Sequence, residues 1–289
     1  MQKALNPEPG DPVWRSDSTL LASKPPVLLR VVRTDSSTRI VPIATVGEQG
    51  YRPLSLGNRG WRAFDLAYLQ STASLTPLRD GDGLSALTPQ RGMWEGPALD
   101  SIPGCTVILP GAQAALPAGV QLLLSGPRPP LNPTQGMDGS ELQRTLAAIP
   151  TLIAPTVGIS MSLLPRYRRE VHVISTGATA QPSIVVTFDD PEVVSDTVPM
   201  MGQRPRQLVL VLDKGIYGYK PSYTFSTVGN NKSAPRLRYL GYVDVDGDRK
   251  AELLFGLQTP RAPLYTIFMR FEADAWREMA KYERGRCQS

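Results

Sequence analysis

Residues 238–260 read RYLGYVDVDGDRKAELLFGLQTP. Two short apolar runs, Tyr239 to Val243 and Leu253 to Phe255, flank an acidic centre in which Asp244, Asp246 and Asp248 alternate and Glu252 follows. The flanks are short and rich in aromatic and aliphatic residues, which predicts two strands joined by the loop. An EF-hand would need Gly at the sixth loop position, a bidentate Glu at the twelfth, and helices on both sides. Those positions hold Arg249 and Phe255, so a helical calcium hand is ruled out.

Outward from this segment the strand signature recurs. Val27 to Val32, Arg39 to Val46, Cys105 to Leu109, Val120 to Leu124, Val171 to Ser175, Ile184 to Phe188 and Gln207 to Leu212 are short apolar runs bounded by Pro, Gly, Asp or Ser. They read as core strands. The best helical stretch is Glu141 to Ile149, where Leu142, Leu146 and Ile149 share a face. Ser140 with Gln143 forms a capping box, and Pro150 is expected to stop the helix after about two and a half turns. The fold class is therefore mainly β, with two sandwich- or barrel-like parts, a short helix and a C-terminal hairpin around the acidic loop. The stretch 127–139 is proline-rich and predicts a stiff linker between an N-terminal domain, 1–126, and a C-terminal domain, 140–289. One domain with a long surface loop is the other reading.

The chain of 289 residues is 41% hydrophobic and holds 28 Pro and 25 Gly, which suits a turn-rich globular protein able to bury a core. One His and two Cys exclude a tetrahedral Cys/His zinc site, a c-type haem and an iron-sulfur cluster. The net charge of +5 favours acidic partners without requiring nucleic acid. The basic residues are dispersed; the densest group is Arg166, Arg168 and Arg169 around Tyr167, followed by Arg204 with Arg206 and Arg236 with Arg238, and each reads equally as a solvated strand edge or loop. No nucleic-acid motif accompanies them, so no nucleic-acid partner is expected. Met1 to Trp14 lacks the apolar core of a signal peptide, which leaves a cytoplasmic chain or one that begins after a removed signal. The long uncharged stretches 101–127 and 147–165 are broken by prolines, so no transmembrane segment is expected.

The acidic loop carries too much negative charge at too short a spacing to be stable without a cation, and hard oxygen ligands at this density suit Ca²⁺. Asp244, Asp246 and Asp248 would each supply a side-chain oxygen, Lys250 its backbone carbonyl, and Glu252 the closing carboxylate. The competing reading is an acidic turn held by water and by Lys or Arg neighbours. The segment resembles the calcium loop of FG-GAP or VCBS repeats through Asp244, Asp246, Gly247, Asp248 and Glu252, with Phe255-Gly256 following. Arg249 stands where that family commonly has Gly, and the motif occurs once in the chain. The last part of the chain, through the loop, Tyr265 to Phe271, Trp276 and Cys287, is similar to secreted bacterial proteins that end in such a hairpin. These resemblances imply a calcium-stabilised hairpin and an extracytoplasmic location, whether periplasmic, cell-surface or secreted. They also imply a protein or glycan partner at the cell surface. In a chain similar to secreted proteins, Cys105 and Cys287 read either as a disulfide or as one buried and one frayed thiol.

Catalytic signals are weaker. A Ser/His hydrolase would have to use His172, the sole histidine, and Ser160 in Gly158-Ile-Ser160-Met-Ser162 lacks the second Gly of a nucleophile elbow. Asp189, Asp190 and Glu192 could serve a carboxylate-dependent hydrolase acting on glycans or the cell envelope, which is the alternative function. Gly229 to Ser233 lacks the full phosphate-loop pattern, and Asn231-Lys-Ser233 matches a glycosylation acceptor. Trp61, Trp94, Tyr217, Tyr219 and Tyr223 could line a binding surface, although a tyrosine-rich strand edge explains them equally. The reading that results is a non-catalytic structural or interaction module with a Ca²⁺ loop.

Overall fold

The computed structural model of the protein describes residues 24–33, 38–46, 52–54, 64, 67–68, 74–78, 93–95, 106–108, 116, 119–157, 164–190, 206–227, 234–259 and 262–283. It is mainly β and divides into two compact units. The first comprises Met1–Pro130, Leu240–Asp248 and Tyr282–Ser289, and the second Leu131–Tyr239 and Arg249–Lys281. None of the strand orders closes on itself among the described residues, so neither unit is a barrel there.

The first unit is built on a seven-stranded sheet. Its strands are β1 (Val27–Arg33), β2 (Thr38–Thr45), β3 (Arg52–Pro53), β4 (Leu75–Leu78), β5 (Met93–Glu95), β6 (Thr106–Ile108) and β7 (Leu122–Ser125). They run in the order β4-β7-β1-β2-β6-β5, with β3 beside β2. The apolar runs at 27–32 and 39–46 predicted the central pair, and Leu28, Leu29, Ile40 and Leu122 to Leu124 are fully buried. Arg33 holds the start of the β7 segment, its guanidinium donating to the Val120 carbonyl at 2.8 Å and the Leu116 carbonyl at 3.3 Å. The weakly patterned LTPL of β4 became a strand because β7 offers it a partner edge, pairing Leu75 with Ser125 and Leu78 with Leu122.

Among the described residues the second unit holds one α-helix, a four-stranded sheet and most of another, whose first strand passes at Leu240 into the segment grouped with the first unit. The first sheet contains β8 (Arg168–Ile174), β9 (Ser183–Asp189), β10 (Gln207–Gly215) and β11 (Gly218–Thr227) in the order β11-β10-β9-β8. The second contains β12 (Arg236–Val243), β13 (Glu252–Thr259), β14 (Ala262–Glu272) and β15 (Ala275–Glu283), in chain order. Side chains alternate across a strand. Ile184, Val186 and Phe188 of β9 with Leu208, Leu210 and Leu212 of β10 face the helix, packing with Leu146, Ile149 and Ile153. The intervening residues face the other sheet, where Tyr223 packs on Phe255 at 6.1 Å and His172 on Tyr239 at 4.8 Å between ring centroids. The central strands are thus covered on both faces, which explains why IVVTF and LVLVL read as continuous rather than alternating apolar runs.

One charged group sits in this buried layer. Asp213 of β10 is 3% exposed. Its carboxylate accepts from the Ser183 hydroxyl at 2.5 Å, from the Trp276 indole N–H at 2.8 Å, and from the Ser222 hydroxyl. Ser183, Ser222 and Trp276 lie on β9, β11 and β15, so one carboxylate ties three strands of one sheet to the edge of the next.

The helix differs from the sequence expectation. Helix α1 (Gly139–Val157) passes through Pro150 instead of stopping there, and its cap is Asp138, whose Oδ1 accepts the Glu141 N–H at 2.7 Å. The Ser140 hydroxyl, and then the Glu141 N–H, hold the Asp138 carboxyl below its usual range. A mid-helix proline removes a hydrogen bond and costs about 3 kcal/mol. Continuing the helix past Pro150 buries Ile153, 1% exposed, against β9 and β10, and that burial offsets part of the cost. No helix among the described residues is long and apolar enough to cross a membrane.

Two outcomes are expected. Asp213→Ala removes the acceptor of the buried Ser183 hydroxyl and Trp276 indole N–H, while Ser222 keeps the Val211 carbonyl at 3.0 Å, and lowers the unfolding free energy by about 3 kcal/mol in urea titration. Alkali should also destabilise the fold. Burial and then Glu278 push the Tyr223 hydroxyl up to about 12, and burial likewise raises that of Tyr219. The unfolded hydroxyl ionises near pH 10, so this stability is complete below about pH 10 and declines as pH rises toward about 12. Unfolding midpoints measured across that interval should fall steadily.

Candidate metal centre

The acidic loop joins β12 to β13, neighbours in their sheet, as its flanks predicted. Its turns are made by its own carboxylates. Asp244 Oδ1 accepts the N–H groups of Asp246 at 3.2 Å and Gly247 at 2.7 Å, and Asp246 Oδ1 accepts the Asp248 N–H at 3.2 Å. Such bonds from a short acidic side chain to backbone two or three residues on are the reason Asp favours turns. Gly247 and Arg249 both take left-handed backbone conformations, with φ of 81° and 66°. Arg249 therefore adopts, at a cost of about 1 kcal/mol, a geometry for which Gly is better suited.

The fold gathers Asp244, Asp246 and Glu252, with one carboxylate oxygen of each lying within 4.8 Å of the others. Asp244 is 2% exposed and Glu252 1%, while Asp246 is half-buried. Asp248 is exposed and falls outside this group, and Lys250 is also exposed. Glu252 Oε1 accepts from the Arg270 Nε at 3.0 Å. Arg270 could not be assigned from sequence. The pairing Leu253↔Met269 between β13 and β14 sets it one step across from Glu252, and register comes from the folded sheet.

The far side of the loop is braced by backbone. The Asn132 N–H donates to the Arg249 carbonyl at 2.8 Å, and the Ala251 N–H donates to the Thr176 carbonyl at 2.7 Å. Asn132 belongs to the proline-rich stretch, whose Gln135 N–H also donates to the Ala180 carbonyl at 2.8 Å. Residues 131–138 thus pack on the second unit. Gly177 lies against the loop with φ of 71°, where an added Cβ would sit 2.7 Å from the Arg249 carbonyl oxygen.

The other sequence candidates do not assemble a catalytic constellation among the described residues. His172 Nε2 lies 3.1 Å from Glu170 Oε1, in a strand and beside the Tyr239 ring. Asp190 pairs with Arg206 at 2.6 Å, and Asp189 accepts from Gln207 at 2.9 Å. Of the aromatics, Tyr219 is buried and donates to the Pro182 carbonyl at 2.9 Å, whereas Tyr217 is fully exposed beside Ile216 at the β10–β11 turn. Trp94 lies in β5. Cys105, Cys287, Ser160, Ser162, Glu192, Arg204, Trp61 and Asn231 to Ser233 lie outside the described residues. Comparison with protein-family models, with curated proteins and with solved structures finds no match.

Gly177→Ala should destabilise the second unit by about 2 kcal/mol, because the added methyl meets the Arg249 carbonyl in a backbone conformation that L side chains rarely adopt. Denaturant titration reads this directly. An unchanged midpoint would mean that the brace on the loop yields without cost.

Proposed function

We propose that the protein is a non-catalytic extracytoplasmic structural or interaction module whose β12–β13 loop binds Ca²⁺. The observation that carries the reading is the convergence of Asp244, Asp246 and Glu252 carboxylate oxygens within 4.8 Å of one another. Calcium-oxygen bonds of about 2.3 to 2.6 Å allow two ligand oxygens on one ion to stand up to about 5.2 Å apart. Each pair of these carboxylates is thus close enough to share one ion. Arg270 pairs with Glu252 at 3.0 Å, and a divalent cation among the three acids would add positive charge where they converge. The resemblance of Asp244 to Glu252 to FG-GAP and VCBS calcium loops supports the same chemistry. Calcium takes six to eight oxygens in flexible geometry, so backbone carbonyls and waters would complete the shell around these three carboxylates, as in a stabilising site. Millimolar Ca²⁺ is an extracytoplasmic condition, which supports the location.

Thermal unfolding in millimolar Ca²⁺ and in EGTA tests the site. An ion present at about a hundred times its dissociation constant adds about 2.7 kcal/mol, or roughly 5 to 10 °C for a unit of this size. Asp246→Asn should abolish the shift while leaving the midpoint in EGTA nearly unchanged. Equal midpoints in Ca²⁺ and EGTA for the unaltered protein would reduce the loop to an acidic turn held by Arg270.

A further inference from the structure

Three arginine groups far apart in sequence meet at one end of the second unit. Arg168 of β8 pairs in register with Asp189 of β9, and Asp189 with Gln207 of β10. The Gln207 amide donates to Asp189 at 2.9 Å, and its Oε1 accepts the Leu237 N–H at 2.7 Å, which brings the start of β12 to the same level. Arg166, Arg168, Arg169, Arg206, Arg236 and Arg238 consequently share this end.

Among the described residues the balance of charge there is positive. Arg206 is matched by Asp190 at 2.6 Å. Arg166, Arg168, Arg169 and Arg238 are exposed and have no carboxylate partner among the described residues. The remaining acids nearby are Asp189, engaged by Gln207, and Glu170, which lies against His172. Tyr167, the aromatic among these arginines, is 7% exposed and packs in the core beneath α1. It offers no face on which a base could stack, and stacking is what single-stranded nucleic acid requires.

We infer that this arginine-rich end binds a linear glycan carrying closely spaced sulfate or phosphate groups. The inference rests on the interaction-module reading and gives that module its partner. A guanidinium meets such oxyanions through paired N–H donors, and several separately exposed guanidiniums along two strand edges suit a repeating anion better than a small one. The contacts are electrostatic, so binding depends steeply on salt.

Binding of the full chain to dextran sulfate, to polyphosphate, to uncharged dextran and to an oligo-dT strand, all in Ca²⁺, tests the site. For four arginine contacts, affinity for dextran sulfate or polyphosphate should fall about 100-fold between about 50 and 200 mM salt, by analogy with counterion release on nucleic acids. Dextran sulfate, which carries its anions on sugars, should bind more tightly than polyphosphate, which has none, and uncharged dextran should not bind. Arg168→Gln/Arg169→Gln/Arg238→Gln should lose most of the affinity and flatten the salt dependence. Arg238→Gln alone should weaken binding several-fold, whereas Lys220→Gln, which removes the same charge at the opposite end of β11, should not. Three results would overturn the inference: no binding at low salt, equal weakening by Lys220→Gln, or preference for the oligonucleotide. Because these arginines are remote in sequence from the acidic loop, the Ca²⁺ melting shift measured on the same variants separates a failed glycan site from a failed metal site.

Discussion

A carboxylate buried between two sheets constrains the second unit more than any other single group. Asp213 lies in β10, and the strand's other face packs on the helix through Leu208, Leu210 and Leu212. Slipping β10 by one residue would turn Asp213 toward Leu146 and Ile149, where it would find an apolar cluster, and would turn leucines onto the donors of Ser183, Ser222 and Trp276. An uncompensated buried charge costs several kcal/mol, so only one register is tolerable. The same carboxylate reaches β15 through the indole N–H, which fixes the second sheet against the first. The polar group adds little net stability in such an arrangement, but it discriminates strongly between alternative packings.

That register propagates to the arginine groups and to the strand that leads into the acidic loop. With β10 fixed, Gln207 bridges Asp189 and the Leu237 backbone, which places β12 and aligns the arginine groups. β12 runs into the acidic loop and returns as β13, whose pairing with β14 sets Arg270 beside Glu252. The loop is then shaped by Asp244 and Asp246 side chains from within and held by the Asn132 and Thr176 backbone from outside. Local turn chemistry supplies the curvature, while packing supplies the convergence of Glu252 with the two aspartates.

Helix α1 shows how tertiary burial overrides a local rule. The sequence signal to stop at Pro150 is physically sound for an isolated helix. Here the apolar stripe of Leu146, Ile149 and Ile153 covers the even-numbered residues of β9 and β10, and the helix runs on to Val157. Sheet strands that are buried on both sides need such a cover, since they carry no polar face of their own.

The sequence by itself determined the mainly β class and the strands built from unbroken apolar runs. It also determined the loop joining two strands, because these follow from local periodicity and turn chemistry within a few residues. It could not show the weak strand β4, the extension of α1, or the partners of Asp213, since each depends on a surface supplied from elsewhere in the chain. Of the acidic positions, Asp244, Asp246 and Glu252 came together and Asp248 did not, because spacing fixes which residues are near but sheet register and backbone bracing decide where their carboxylates point. The arginines were visible as three scattered groups, and only the tertiary structure brought them to one end of the unit, because strand pairing brings to a common level residues that lie dozens of positions apart.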